Sequence, residues 1–291
     1  MIAYKDQYGA YRSLVESRLD ELLRDSVDSR VLEAMRYSLL GGGKRVRGVL
    51  CLASCALCGG QNEEALLAAS ALEMLHCYSL IHDDLPCMDD DDLRRGQPSC
   101  HKKFGEAMAM LAGDGLLTMA FRVLAEMREP GAAIECVRLL SENAGVRGMI
   151  RGQELDLEAE TKQLTLEQLN EVHRHKTGAL ICASAAMGAA VAHARPEQRA
   201  ALWDYAEKIG LVFQIVDDIL DRTSSTETLG KPVGSDMQQQ KSTYPGLIGI
   251  ESSRNTAATL TAEAVAGLEH VFGARAEFLA AFARQLLTRI E

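Results

Sequence analysis

The chain has 291 residues, 47% hydrophobic and 25% charged, which is enough apolar material for a large core and too ordinary a charge fraction for disorder. Its formal net charge of -10 argues against non-specific nucleic-acid binding, which needs a basic surface to release phosphate counterions. The N-terminus lacks the basic start and apolar run of a secretory signal, so a cytoplasmic location is expected.

Apolar residues recur at i, i+3, i+4 and i+7 almost throughout, and strand-like alternation is scarce, so the chain is predicted to be all-α. In chain order the expected helices cover Leu14 to Leu23, Val31 to Leu40, Val49 to Leu57, Glu63 to Asp84, Gly105 to Met127, Ala132 to Asn143, Gly145 to Leu157, Leu166 to Ala192 and Pro196 to Asp221, with two or more segments after Tyr244. Gly41 to Gly43 and Gly59-Gly60 mark helix ends, Thr165 and Gln168 have capping-box spacing, and Pro196 suits a first turn. Cys51, Cys55 and Cys58 recur at helical spacing without a second metal-ligand pair, and read as small core residues in a reducing compartment. The uncharged run Thr177 to Ala194 is rich in Ala and Gly rather than Leu and Ile, which predicts a buried helix and no membrane span. No fixed-period repeat or low-complexity linker divides the chain, so a single domain over residues 1–291, built as a helical bundle, is expected.

The stretch Leu80 to Gly96 carries six aspartates and then two arginines. Pro86 must stop or kink the helix leading into it, which sets Asp83 and Asp84 on the last turn with Asp89 just beyond. Clustered carboxylates at a helix C-terminus oppose both one another and the helix dipole; a hard divalent cation removes that penalty. Taken alone, such a run is more often just a solvated loop. A second cluster shifts the balance: Gln214, Asp217 and Asp221 fall at i, i+3 and i+7 on an otherwise apolar helix, with Asp218 beside them. The two clusters are expected to be two walls of one metal site.

Basic groups stand in four places: Lys44, Arg45 and Arg47 after a glycine run, Arg94 and Arg95 after the aspartates, Lys176 with Thr177, and Lys231 and Lys241 in a Gly/Pro/Ser-rich stretch. Their position at helix ends and loops favours ligand contact over a solvated helix back. A diphosphate, carrying about three negative charges, needs such fixed cations as well as metal.

Taken together, GGKRxR, DDx4D followed by LRRG, HRHKTG, FQxxDDxLD, GKxxGSD and KSTYP, in that order across the chain, resemble the trans-isoprenyl diphosphate synthases, most nearly the bacterial farnesyl diphosphate synthases. The resemblance implies an isoprenoid-synthase-type bundle around a central cavity. It implies three Mg²⁺ ions, with Mn²⁺ as a substitute, held by Asp83, Asp89 and Asp217 and supported by Asp84, Asp218 and Asp221. It assigns Arg94, Lys176, Lys231 and Lys241 to the allylic diphosphate, and Lys44, Arg47, His76 and Arg95 to isopentenyl diphosphate. Thr177 and Gln214 would border the reacting carbons. A homodimer is also implied. Gly48 stands where the family usually has proline, and the loss of that restraint is expected to loosen the turn and weaken isopentenyl diphosphate binding.

The implied reaction is ionisation of dimethylallyl or geranyl diphosphate, attack by the double bond of isopentenyl diphosphate, and proton loss. Product length should depend on what blocks the growing chain along the helix ending at Asp83, where one turn rises about 5.4 Å. That singles out Tyr78 and Ser79, and the bulky tyrosine resembles enzymes that stop at fifteen carbons. Geranylgeranyl diphosphate, with twenty carbons, is the alternative product; a non-catalytic regulatory subunit is the alternative role, against which the intact aspartates count. Terpene cyclases resemble the chain less, because their second metal motif differs.

Overall fold

The computed structural model describes residues 3–24, 27–159, 162–223 and 241–290. Helices α1 (Tyr4–Leu22), α2 (Arg30–Leu40) and α3 (Val46–Leu57) lead to the long α4 (Asn62–Asp83). A two-residue hairpin, β1 (Leu93–Arg94) and β2 (Gln97–Pro98), pairs Arg94 with Gln97 and Leu93 with Pro98. Then come α5 (Cys100–Phe104), α6 (Glu106–Ala125), α7 (Pro130–Ala144), α8 (Met149–Ala159), α9 (Leu166–His173), a π-helical turn (Arg174–Gly178), α10 (Ala179–Val191) and α11 (Pro196–Thr223). The C-terminal part holds α12 (Tyr244–Ile248), α13 (Ile250–Phe272), a 3-10 turn (Gly273–Ala276) and α14 (Glu277–Leu287).

The all-α expectation holds, and several predicted boundaries fall where their chemistry puts them. Thr165 accepts from the Gln168 backbone while Gln168 accepts from the Thr165 backbone, satisfying two otherwise orphaned donors at the start of α9. Pro196 opens α11. The continuous helix expected over 166–192 is instead interrupted by the π turn, whose wider winding no local periodicity encodes.

Helix α10 is the centre of the bundle, packed on α3, α4, α7 and α11. Eleven of its residues are buried, mostly Ala and other small side chains, so its neighbours come close on every side. The Ala/Gly-rich run read from the sequence is thus a core helix. Two helices are long and apolar enough to span a membrane by length and composition: Glu63–Asp83, 78% buried over its most apolar window, and Glu106–Ala125, 39% buried. The second, α6, leaves Met110 and Leu111 exposed. All eight cysteines are free; Cys51 and Cys55 are buried, as core residues would be, while Cys58 is half-buried.

The expected loosening at Gly48 is not what the fold shows. Gly48 lies buried in the first turn of α3, and its N–H donates to Glu73 Oε1 at 2.9 Å. Glu73 is itself 3% exposed and faces Arg45 at 3.7 Å. The residue that lacks proline's φ restraint therefore provides a buried tether that proline, having no N–H, could not make.

Candidate active site

The acidic wall begins where α4 ends. Asp83 is its last residue and Asp84 its C-cap. Pro86 lies in the turn that follows, and Asp89 N returns to bond Asp83 O at 2.8 Å, folding Asp89 back over the helix end. Burial, reinforced by Asp89 and Asp84 and opposed by Lys176 and Arg94, pushes the Asp83 carboxyl up to about 6. Like charges held in a partly desolvated, all-oxygen cluster are the environment a hard cation relieves, so these residues fit magnesium.

Two residues outside the sequence reading complete this wall. Gln153 Nε2 donates to Asp83 Oδ1, and Asp156, one α8 turn later, takes Lys176 Nζ at 2.6 Å. Lys241 Nζ lies 4.0 Å from Asp156 Oδ2 and 3.9 Å from Asp89 Oδ1. Carboxylates and ammonium groups from α4, α8, the π turn and the segment before α12 therefore meet in one place. Gly152 makes the approach possible: a Cβ there would stand 2.0 Å from Lys176 N. The signal for both residues was their i, i+3 spacing in Gln153-Glu154-Leu155-Asp156; nothing local says that this helix face meets Lys176.

Thr177 Oγ1 donates to Gln214 Oε1 at 2.7 Å, joining the π turn to α11. Further along α11, Asp217 Oδ1 lies 3.1 Å from Arg289 Nη1, with Lys44 also acting on its charge. Arg289 lies beyond the last helix, and no motif or spacing in the sequence singles it out. The neighbouring aspartates are already engaged by the protein. Buried Asp218 accepts from Tyr244 N at 2.9 Å and faces His173 at 3.5 Å, tying the KSTYP segment to α11. Asp221 is 2% exposed. Asp84, also 2% exposed, takes Arg94 Nε at 3.0 Å.

The basic groups divide into two sets. Arg94, Lys176 and Lys241 stand with the carboxylates just described; Lys231 lies outside the described residues. The second set surrounds His76, where burial and the charges of Arg47, Arg95, Arg94 and Arg45 push the imidazole well below its ordinary range and keep it neutral. Arg47 Nε is buried without a hydrogen-bond partner, and burial lowers that guanidinium to about 10. Arg95 donates to Gly42 O, and Gly43, at φ +126°, leaves room for it: a Cβ there would be 2.9 Å from Arg95 Cζ. The glycine run thus seats an arginine from the hairpin beside Arg47, forming a concentrated positive site. Arg45, by contrast, is 4% exposed and bonds Leu39 O at 2.6 Å, which makes it structural.

Tyr78 is buried, and its ring meets His82 edge-on at 5.6 Å between centroids. His82 Nε2 lies 3.0 Å from Met110 O, so this pair is held against α6. Ser79 Oγ bonds His76 O at 2.9 Å within α4.

A sequence profile described as polyprenyl synthetase matches residues 28–271. Heterodimeric geranylgeranyl pyrophosphate synthase large subunit 1 of Arabidopsis thaliana is 48% identical over 259 residues, covering 86% of this chain and 70% of that protein. Geranylgeranyl pyrophosphate synthase of Capsicum annuum is 45% identical over 279 residues, covering 94% and 76%. Among solved structures, geranyltransferase of Helicobacter pylori, complexed with magnesium and isoprenyl diphosphate, has a TM-score of 0.88 at 36% identity over 99% of both chains. An FPP/GFPP synthase of Zymomonas mobilis has a TM-score of 0.87 at 36% identity, covering 98% of this chain and 100% of that one.

Proposed function

The chain belongs to the polyprenyl synthetase family and is a trans-prenyltransferase of the isoprenyl synthase helical fold; within it, we propose that it joins isopentenyl diphosphate to dimethylallyl and geranyl diphosphate, giving farnesyl diphosphate. The observation that carries this reading is the meeting of Asp83, Asp89 and Asp156 with Lys176 and Lys241 at one end of α4. Carboxylates that call for metal stand beside ammonium groups that call for a phosphate.

In this reading Asp83, Asp89 and Asp217 hold Mg²⁺, which when bound neutralises the diphosphate leaving group. Lys176, Lys241 and Arg94 grip the same diphosphate and stabilise the charge that grows on it as the allylic C–O bond breaks. Thr177 Oγ1 donates its hydrogen bond to Gln214, so its lone pairs are what remain to face a developing cation. Arg47, Arg95, Lys44 and neutral His76 fix the diphosphate of isopentenyl diphosphate while its double bond attacks. Among the described residues no side chain of the site is an evident dedicated base, and the proton lost in the last step passes to the departing pyrophosphate.

Product length rests on Tyr78, whose buried ring stands about one turn before Asp83 on α4. Twenty carbons is the second reading, favoured by the names of the plant relatives at 45% to 48% identity. The exposed apolar residues of α6, Met110 at 42% and Leu111 at 46%, favour a homodimer paired through that helix.

Turnover tests the reaction directly. Purified chain incubated with geranyl diphosphate and labelled isopentenyl diphosphate should release pyrophosphate and a labelled longer allylic product with Mg²⁺, and neither with EDTA. Release of pyrophosphate without any longer product would count against condensation.

A further inference from the structure

Beside the site just described, a buried nitrogen lacks a role. His101 on α5 is 6% exposed, and its Nε2 is buried without a hydrogen-bond partner. Leaving a buried polar atom without a partner is unfavourable, so its surroundings call for an explanation. Nε2 points toward Asp90, 3.8 Å from Oδ1. One ligand atom from each of Asp90, Asp92 and His101 lies within 4.8 Å of the other two.

The other ring nitrogen supports a ligand role. His101 Nδ1 is 3.0 Å from Ser99 Oγ, and Ser99 is 1% exposed. In the tautomer in which Ser99 accepts from Nδ1–H, the lone pair of Nε2 is turned toward the two carboxylates, as metal-bound histidines are oriented by a partner on their second nitrogen. A cation already marks the position: Lys102 Nζ is 2.7 Å from Asp92 Oδ1 and 3.9 Å from Asp90 Oδ1. Its side chain is 42% exposed and free to swing away.

We propose that Asp90, Asp92 and His101 form a binding site for a divalent cation of the zinc class, separate from the magnesium carboxylates, with water completing the coordination. One imidazole and two carboxylates suit zinc or cobalt, whereas magnesium favours an all-oxygen shell. Metal–ligand bonds of about 2.0–2.2 Å bring tetrahedral ligand atoms to about 3.5 Å apart. The side chains of Asp90 and Asp92, 58% and 74% exposed, supply that movement while buried His101 stays fixed. Ser99 N already bonds Asp92 O at 2.8 Å. A bound ion would cross-link α5 to the loop between Asp89 and the hairpin that carries Arg94 and Arg95, stiffening it.

The test uses the full chain stripped with EDTA and dialysed free of chelator, magnesium and diphosphate. Zn²⁺ is titrated calorimetrically, and Co²⁺ is followed by its visible absorption. One ion per chain is expected, with affinity reduced at least about 10-fold by His101→Gln and by Asp92→Asn, increased by Lys102→Ala, and unchanged by Asp83→Asn. Should His101→Gln fail to fold by circular dichroism, Asp92→Asn, at an exposed position, decides. No binding at micromolar Zn²⁺, equal binding by wild type and Asp92→Asn, or loss of the ion in Asp83→Asn would each overturn the proposal.

Discussion

Lys176 Nζ lies 2.6 Å from Asp156 Oδ2, the only ion pair that bridges the π turn to α8 among the described residues. Burial works against a charged Asp156, but Lys176 and Lys241 overcome it and hold the carboxyl below its ordinary value. The carboxylate thereby orients an ammonium group assigned to the allylic diphosphate. Asp156→Asn should raise the KM for the allylic substrate by about 10–100-fold, the equivalent of a charge-assisted hydrogen bond of about 1.5–3 kcal/mol, and Asp156→Glu should recover part of the loss. Steady-state kinetics with each substrate varied in turn checks this; an unchanged allylic KM would remove Asp156 from the site.

Asp83 carries a stability cost that the proposed chemistry explains. Its folded pKa of about 6 lies above the ordinary carboxyl value of 3.8, so the folded chain binds this proton more tightly than the unfolded chain. The contribution is fully present below about pH 4 and is lost as pH rises through about 6. At roughly 1.4 kcal/mol per pK unit, reduced by solvent screening, the loss is on the order of 1–3 kcal/mol. In EDTA, Asp83→Asn should therefore be more stable than wild type at pH 8, match it near pH 4, and be nearly inactive. Urea unfolding at the two pH values measures the difference, and equal stabilities at pH 8 would contradict it.

Gly48 supplies a prediction specific to this chain. Restoring the proline usual in the family removes the N–H that Glu73 accepts and brings ring atoms against Val15, whose methyl carbons would already stand 3.1 Å from a Cβ. Gly48→Pro should cost about 1–3 kcal/mol, since a buried carboxylate loses a donor. Thermal denaturation compares the two chains; a proline variant as stable as wild type would show that Glu73 is satisfied by other groups.

Much of this site was legible in the sequence because its residues sit in order-preserving motifs at helix ends. Asp83, Asp89, Lys176 and Asp217 could be chosen by charge placed against helical periodicity. Gln153 and Asp156 could not, since their spacing on α8 is that of any polar helix face, and only the backbone contact at Gly152 turns that face to Lys176. Arg289 was hidden for the same reason: its pairing with Asp217 joins the chain's end to α11 across 72 residues of sequence. The π turn is invisible in the sequence because the apolar pattern runs on through it, and the Gly48 tether is hidden because its partner, Glu73, lies on another helix.

Tyr78 governs the product in this account. Truncating it opens space beside His82 and α6, so Tyr78→Ser or Tyr78→Ala should shift the main product from fifteen to twenty carbons. The alanine variant should also lose about 3–5 kcal/mol of stability, as large buried side chains do when truncated. Chromatography of dephosphorylated products separates the lengths, and a variant still making fifteen carbons would move the stop elsewhere.

The most direct test of the central claim is a single incubation of the purified chain with dimethylallyl diphosphate and labelled isopentenyl diphosphate, in Mg²⁺ or in EDTA, with product length measured. A magnesium-dependent fifteen-carbon allylic product is predicted. A twenty-carbon product would preserve the reaction and contradict the role given to Tyr78, whereas no labelled allylic product from dimethylallyl, geranyl or farnesyl diphosphate would contradict the enzyme itself.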